Sequence, residues 1–89
     1  MFRLWVRLFR DNHLLRDLVV EDDGLDSRTK KIRRAIDKAC EEFDLPRPIW
    51  LKSTVEEFRT HDRCRFTRDA FIEDVEFDFM DIQVLSEGD

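Results

Sequence analysis

Between Asp26 and Asp44 the apolar positions are Ile32, Ala35, Ile36, Ala39, Cys40 and Phe43, a spacing of i, i+3, i+4, i+7, i+8 and i+11. At 3.6 residues per turn all six fall on one face of an α-helix. Lys31, Arg34, Lys38 and Glu41 occupy the opposite face. The pattern predicts a helix over residues 26–44 that lies on an apolar surface with its back to water. Asp26 or Ser27 can accept a hydrogen bond from a free N–H of the first turn. Leu45 followed by Pro46 supplies the stop, because proline disfavours helical geometry in the residue before it.

The rest of the chain alternates with a period of two. In FRLWVRLFR, Phe2, Leu4, Val6 and Leu8 point one way, and Arg3, Trp5, Arg7 and Phe9 the other. That is a β-strand with an apolar face and a mixed face. Asp11-Asn12-His13 has turn chemistry, and Leu14–Glu21 is the returning strand of a hairpin. Its inward set is open between Leu14, Leu18 and Val20 on one side and Leu15 and Val19 on the other. EDDGLD, residues 21–26, is an acidic loop leading into the helix.

Beyond the helix, Pro46-Arg47-Pro48 leads to Ile49-Trp50-Leu51, which fits a brief edge strand because prolines lack donors. Ser53-Thr54-Val55-Glu56 matches the S-x-x-E capping box and predicts a short helix to about His61, with Val55 and Phe58 inward. Residues 62–72 read as irregular, with Thr67 placed to cap one more helical turn. Phe77–Leu85 is a last strand, with Met80, Ile82 and Val84 on one face and Phe77, Phe79, Asp81 and Gln83 on the other. Ser86-Glu87-Gly88-Asp89 is a tail.

Eighty-nine residues make one domain. No stretch of about 18 apolar residues is present for a membrane span. The N-terminus alternates where a signal peptide would have a continuous apolar core, so the expected location is the cytoplasm. The net charge of −5 argues against nonspecific nucleic-acid binding as the main activity. The charge is also uneven: Arg28–Lys38 holds six basic residues against one Asp, and Asp69–Asp89 holds eight acidic residues and no Lys or Arg. Complementary solvated faces within one domain are the plainer reading, and a field that steers a partner is the alternative.

Cys40 and Cys64 are too few for a disulfide framework and are expected as free thiols, Cys40 buried and Cys64 exposed. His61-x-x-Cys64 offers two metal ligands where a structural zinc site needs four, so neither a metal nor any other cofactor is expected. Cys64 between Arg63 and Arg65 could be an activated thiolate, but no general base or oxyanion donor accompanies it. Glu73, Asp74, Glu76, Asp78 and Asp81 form no clear carboxylate pair and read as a solvated acidic edge. With only Gly24 and Gly88, a glycine-rich phosphate loop is impossible. No catalytic residues are assigned, and the chain is not expected to be an enzyme.

The succession of hairpin, helix, proline-flanked short strand, irregular stretch and final strand resembles the ubiquitin-like β-grasp fold. FRLWVRLF is similar to the first strand of ubiquitin, and DLPRPIWL to the proline-containing exit from its helix. The resemblance implies an α+β domain with a mixed sheet of four or five strands. One long helix would pack on one face, and the first and last strands would be parallel neighbours at the centre. The Gly-Gly tail of the conjugated and sulfur-carrying members is replaced here by Ser86-Glu87-Gly88-Asp89, so those activities are not implied. The chain is also loosely similar to small uncharacterised proteins of anaerobic Firmicutes, which carry no function with them.

In that layout Arg3, Trp5, Arg7 and Phe9 stand beside Phe77 and Phe79 on the sheet face turned away from the helix. Ubiquitin-like modules often use this face for contacts, and aromatic rings rimmed by charge suit a protein-binding patch. The expected function is a small non-catalytic protein-interaction module that binds a protein partner, or a second copy of itself, through these six residues. Against it stands the reading in which residues 53–72, with Phe58, Phe66 and Phe71, fold back over the rings as a second core. The alternative function is accessory nucleic-acid binding by basic residues 28–38 and 59–68.

Overall fold

The computed structural model describes residues 1–87. Its elements run β1 (Phe2–Arg10), β2 (His13–Asp22), α1 (Arg28–Phe43), α2 (Lys52–His61), β3 (Arg63–Thr67), a 3-10 turn at Arg68–Ala70 and β4 (Phe79–Glu87). The class is α+β. The four strands form one sheet in the order β2-β1-β4-β3, and every pairing is antiparallel.

β1 and β2 form a hairpin because Asp11 and Asn12 both adopt positive φ, 51° and 66°. A two-residue loop with both residues left-handed matches the twist of the strands, and Asp and Asn tolerate that region. A bulge between Leu8 and Phe9 sets Leu14 opposite Phe9. The ambiguity in β2 is thereby resolved: Leu18 and Val20 lie opposite Val6 and Leu4 on the core side, and Leu14, Leu15 and Val19 are exposed.

α1 lies inside its expected span. Ser27 Oγ accepts from Lys30 N, and Asp44 takes the left-handed C-terminal position at φ 57°. Its backbone N–H and that of Leu45 return to the carbonyls of Glu41 and Cys40, so the helix is closed before Pro46 is reached. All six apolar positions of the stripe are buried. They share one core with Leu4, Val6, Met80 and Ile82, and Val84 is partly buried against it.

Several expectations are corrected. The sheet is antiparallel throughout and not mixed, so β1 and β4 are central neighbours but run in opposite directions. The third strand is Arg63–Thr67, within the stretch read as irregular, and Ile49–Leu51 is an extended segment outside the sheet. That segment is tied by Ile49 N to Ala70 O at 2.7 Å and plugs the core with Trp50. Two helices, not one, cover the sheet: α1 packs on β1 and β2, and α2 packs on β3. The capping box is not formed, since α2 starts one residue before Ser53, with Leu51 at its N-cap and no side-chain cap. Thr54 and Phe58 are its buried residues, and Val55 faces out. The last strand is displaced to Phe79–Glu87, taking in Ser86 and Glu87 of the expected tail. Gly88 and Asp89 lie outside the described residues.

Candidate functional site: the open face of the sheet

Because alternate residues of a strand point to opposite faces, β1 sends Arg3, Trp5, Arg7 and Phe9 away from the core. The register sets Val19 and Asp17 of β2 beside Trp5 and Arg7, with Gln83, Asp81 and Phe79 of β4 on the other flank. Arg63, Arg65 and Thr67 of β3 complete the row. Both helices lie on the core side, and Phe58, Phe66 and Phe71 are buried in that core. Residues 53–72 therefore do not fold over this face.

The rings and guanidinium groups form a ladder across the strands. Arg7 stacks over Trp5 at 4.1 Å and over Phe9 at 5.5 Å. Phe9 stacks on Phe79 at 5.1 Å, and Arg65 covers Phe79 at 4.4 Å. Guanidinium groups are attracted to ring faces by the ring quadrupole, so each plane orients the next. Trp5 Nε1 donates to Asp17 Oδ2 at 3.0 Å, and Arg3 pairs with Glu21 at 3.1 Å. Trp5, Phe9 and Phe79 are half-buried and Arg3 is exposed.

Beneath the ladder lies a group that the sequence reading placed at a solvated edge. Asp81 is only 1% exposed. Arg63 Nη2 donates to its Oδ2 at 2.9 Å, Arg65 Nε lies 3.9 Å away, and Arg7 Nη2 approaches Oδ1 at 3.4 Å. Three guanidinium groups thus converge on one carboxylate, and the carboxylate holds the Arg63 guanidinium above its usual pKa. Among the described residues Arg7 Nε and Asp81 Oδ1 are buried without a hydrogen-bond partner.

Phe77 does not belong to the site. It precedes β4, is 2% exposed and packs edge-on against Phe71 at 5.3 Å on the core side. The hydrogen bond from Asp78 N to Phe9 O, at 2.7 Å, holds the turn into β4 against β1. Five of the six expected contact residues therefore share the open face, and Asp81, Arg63 and Arg65 join them. Alternation along β4 places Asp81 there, but no pattern in the sequence marks it as buried.

Cys64 is corrected as well. It lies on the core side of β3 at 1% exposure, while its neighbours Arg63 and Arg65 point to the opposite face. Burial, with Glu57 and Asp81 adding to it, pushes the Cys64 thiol up to about 12, and burial pushes Cys40 up to about 11. Neither is a ready nucleophile, because the thiolate is the reactive form. Iodoacetamide should label neither cysteine in the folded protein, and both should become reactive together at the denaturation midpoint. Rapid alkylation of one thiol in the native state would place it outside the core. Among the described residues no three His, Cys, Asp or Glu side chains converge as metal ligands.

The basic stretches are partly consumed by internal pairing. Arg34 pairs with Asp22 and Asp26, Arg28 with Asp62 and Glu87, Arg68 with Asp78, and Arg47 with Asp37. The Gly24 N–H and then Arg34 hold the Asp22 carboxyl below its ordinary range. A depressed folded-state pKa stabilises the fold above the unfolded value and loses that effect as pH falls through the folded one. The Asp22–Arg34 pair therefore adds a small stabilising contribution at neutral pH that is lost in acid.

No helix among the described residues is long and apolar enough to cross a membrane. Comparison of the chain with protein-family models, with curated proteins and with solved structures found no match.

Proposed function

We propose that the protein is a small non-catalytic interaction module of the cytoplasm that binds a protein partner, or a second copy of itself, through the open face of its sheet. The observation that carries this reading is an uncovered aromatic–guanidinium ladder, Trp5–Arg7–Phe9–Phe79–Arg65, on a rigid four-stranded support. Half-exposed rings supply contact area at low entropic cost, and arginines supply directed hydrogen bonds; both are enriched in the cores of interfaces. The reading does not depend on the ubiquitin-like resemblance. That resemblance rests in part on a proline-flanked short strand after the helix and implies a parallel central pair, whereas residues 49–51 lie outside the sheet and β1 and β4 are antiparallel.

A photo-crosslinking residue at Val19, on the open face, should capture one discrete partner or the dimer in cells that express the protein. The same residue at Lys38, on the outer side of α1, should not. Replacing Trp5 and Phe79 by serine should abolish the adduct, but two half-buried rings also contribute about 1 kcal/mol each to folding. With the crosslinker kept at Val19, Thr67→Arg adds bulk at another exposed position of the same face and should block the adduct with the thermal midpoint kept. Equal capture from both positions, or from neither, would refute the proposal.

A further inference from the structure

The two helices cover different strands and leave a cleft between them of about 270 Å³. Its floor and walls are Ile32 of α1, Trp50 of the extended segment, and Val55 and Phe58 of α2. Ile32 and Phe58 are buried from below, whereas Val55 is 38% exposed and Trp50 presents a half-buried edge. The charged residues lining the cleft are Arg28, Arg33 and Arg59, with no carboxylate among them. In a chain of net charge −5 this is a local inversion. The two basic stretches, far apart in sequence, meet here. Arg28 stacks over Phe58 at 5.3 Å and is held by Asp62 and Glu87. Arg33 and Arg59 are exposed and make no ion pair among the described residues.

The first turn of α1 strengthens the same field. It contains no acidic residue, although carboxylates there would stabilise the positive end of the helix dipole. Instead the sequence sets Arg28, Lys30, Lys31 and Arg33 at that end, where they oppose helix stability and add to the potential over the cleft. Arg28 offsets its share of this cost through Asp62, Glu87 and Phe58, whereas Arg33 has no ion-pair partner among the described residues. An anionic ligand would gain from this field.

We propose that the α1–α2 cleft is a second docking site, for a peptide segment of a partner in which one large apolar side chain is flanked by carboxylates. The apolar chain fits between Trp50, Val55 and Ile32, and the carboxylates face Arg33 and Arg59. A nucleic-acid backbone is the poorer match: the cleft is short and apolar at its base, and one of its three arginines is already engaged by two carboxylates. The site is on the helical side of the sheet and is independent of the open face.

The test is selection of a random decapeptide display library on the whole protein. Enriched sequences should hold an aromatic or aliphatic residue among Asp and Glu. In a Trp5→Phe background Trp50 is the only tryptophan, so binding of the best synthetic peptide should change its emission. Arg33→Glu with Arg59→Glu should weaken that peptide tenfold or more, and raising the salt should weaken it too, since exposed charges are screened. Val55→Asp should weaken it without large loss of the thermal midpoint, and Val19→Arg should leave it unchanged, which separates this site from the open face. The inference fails if nothing is enriched, if basic or uncharged sequences are selected, or if the double charge reversal has no effect. It also fails if a thymidine oligonucleotide binds the same residues more tightly than the peptide.

Discussion

Phe66→Ala should remove about 3–5 kcal/mol of folding stability, the range for deleting a fully buried aromatic ring. Phe66 has no exposed surface and stands at the inward position of β3 next to the sheet centre. Trp50 meets its ring edge-on at 4.8 Å and also meets Phe58 of α2 at 5.8 Å. Through Trp50 the ring ties the shortest strand to the second helix and to the proline-bounded segment. Edge-to-face aromatic pairs add roughly 0.5–1.5 kcal/mol each beyond their burial, so the loss should lie in the upper part of the range. Domains of this size are stable by roughly 5–15 kcal/mol. Urea denaturation should show a midpoint moved far toward zero, and a loss below about 1 kcal/mol would mean that the aromatic cluster is not a core.

Asp81→Ala should cost about 3 kcal/mol, the low end for removing one member of a buried ion pair. The carboxylate is what allows three guanidinium groups to share one patch of sheet. Without it Arg7, whose side chain is only 14% exposed, is left buried beside two other cations. Arg63 and Arg65 are about half exposed and can swing into water, which keeps the loss from the top of the range. The double variant Arg7→Met with Asp81→Leu should recover most of the stability, because apolar replacement of both partners is often neutral. A double-mutant cycle on Arg7 and Asp81 measures the coupling directly. Additive single and double effects would show that Asp81 is not the anchor of the open face.

α1 was legible because six apolar positions in one register admit a single helical face, and Ser27 and Pro46 bracket it. β1 was legible for the same reason with period two. β3 was not: it has five residues, and only Cys64 and Phe66 point inward. The apolar run Ile49-Trp50-Leu51 was the more conspicuous candidate, yet Trp50 serves the core from a loop. That misplacement also hid the direction of β4. Alternation fixes which face a side chain takes but not which way a strand runs. Once β3 lies at Arg63–Thr67 and pairs with β4, the last strand comes back antiparallel to β1. The open face was legible for β1 and Phe79, since period two assigns their sides. Phe77 was misread because β4 begins two residues later than expected, and Asp81 because burial of a carboxylate depends on arginines from two other strands.

β4 sits between β1 and β3 and follows both in the chain, so the two halves of the sheet are made before the strand that joins them. Ser86 Oγ donates to the Met1 carbonyl at 2.8 Å across 85 residues of chain, a closure of the kind that slows folding. Until β4 arrives on the ribosome, β1 has one flank unpaired and half of its apolar row open, and β3 has no strand beside it. An unpaired edge of that sort invites pairing with other chains. The nascent protein is thus most in need of a chaperone after β3 and before β4 has emerged, and a chain truncated ahead of Phe79 would keep that open flank permanently.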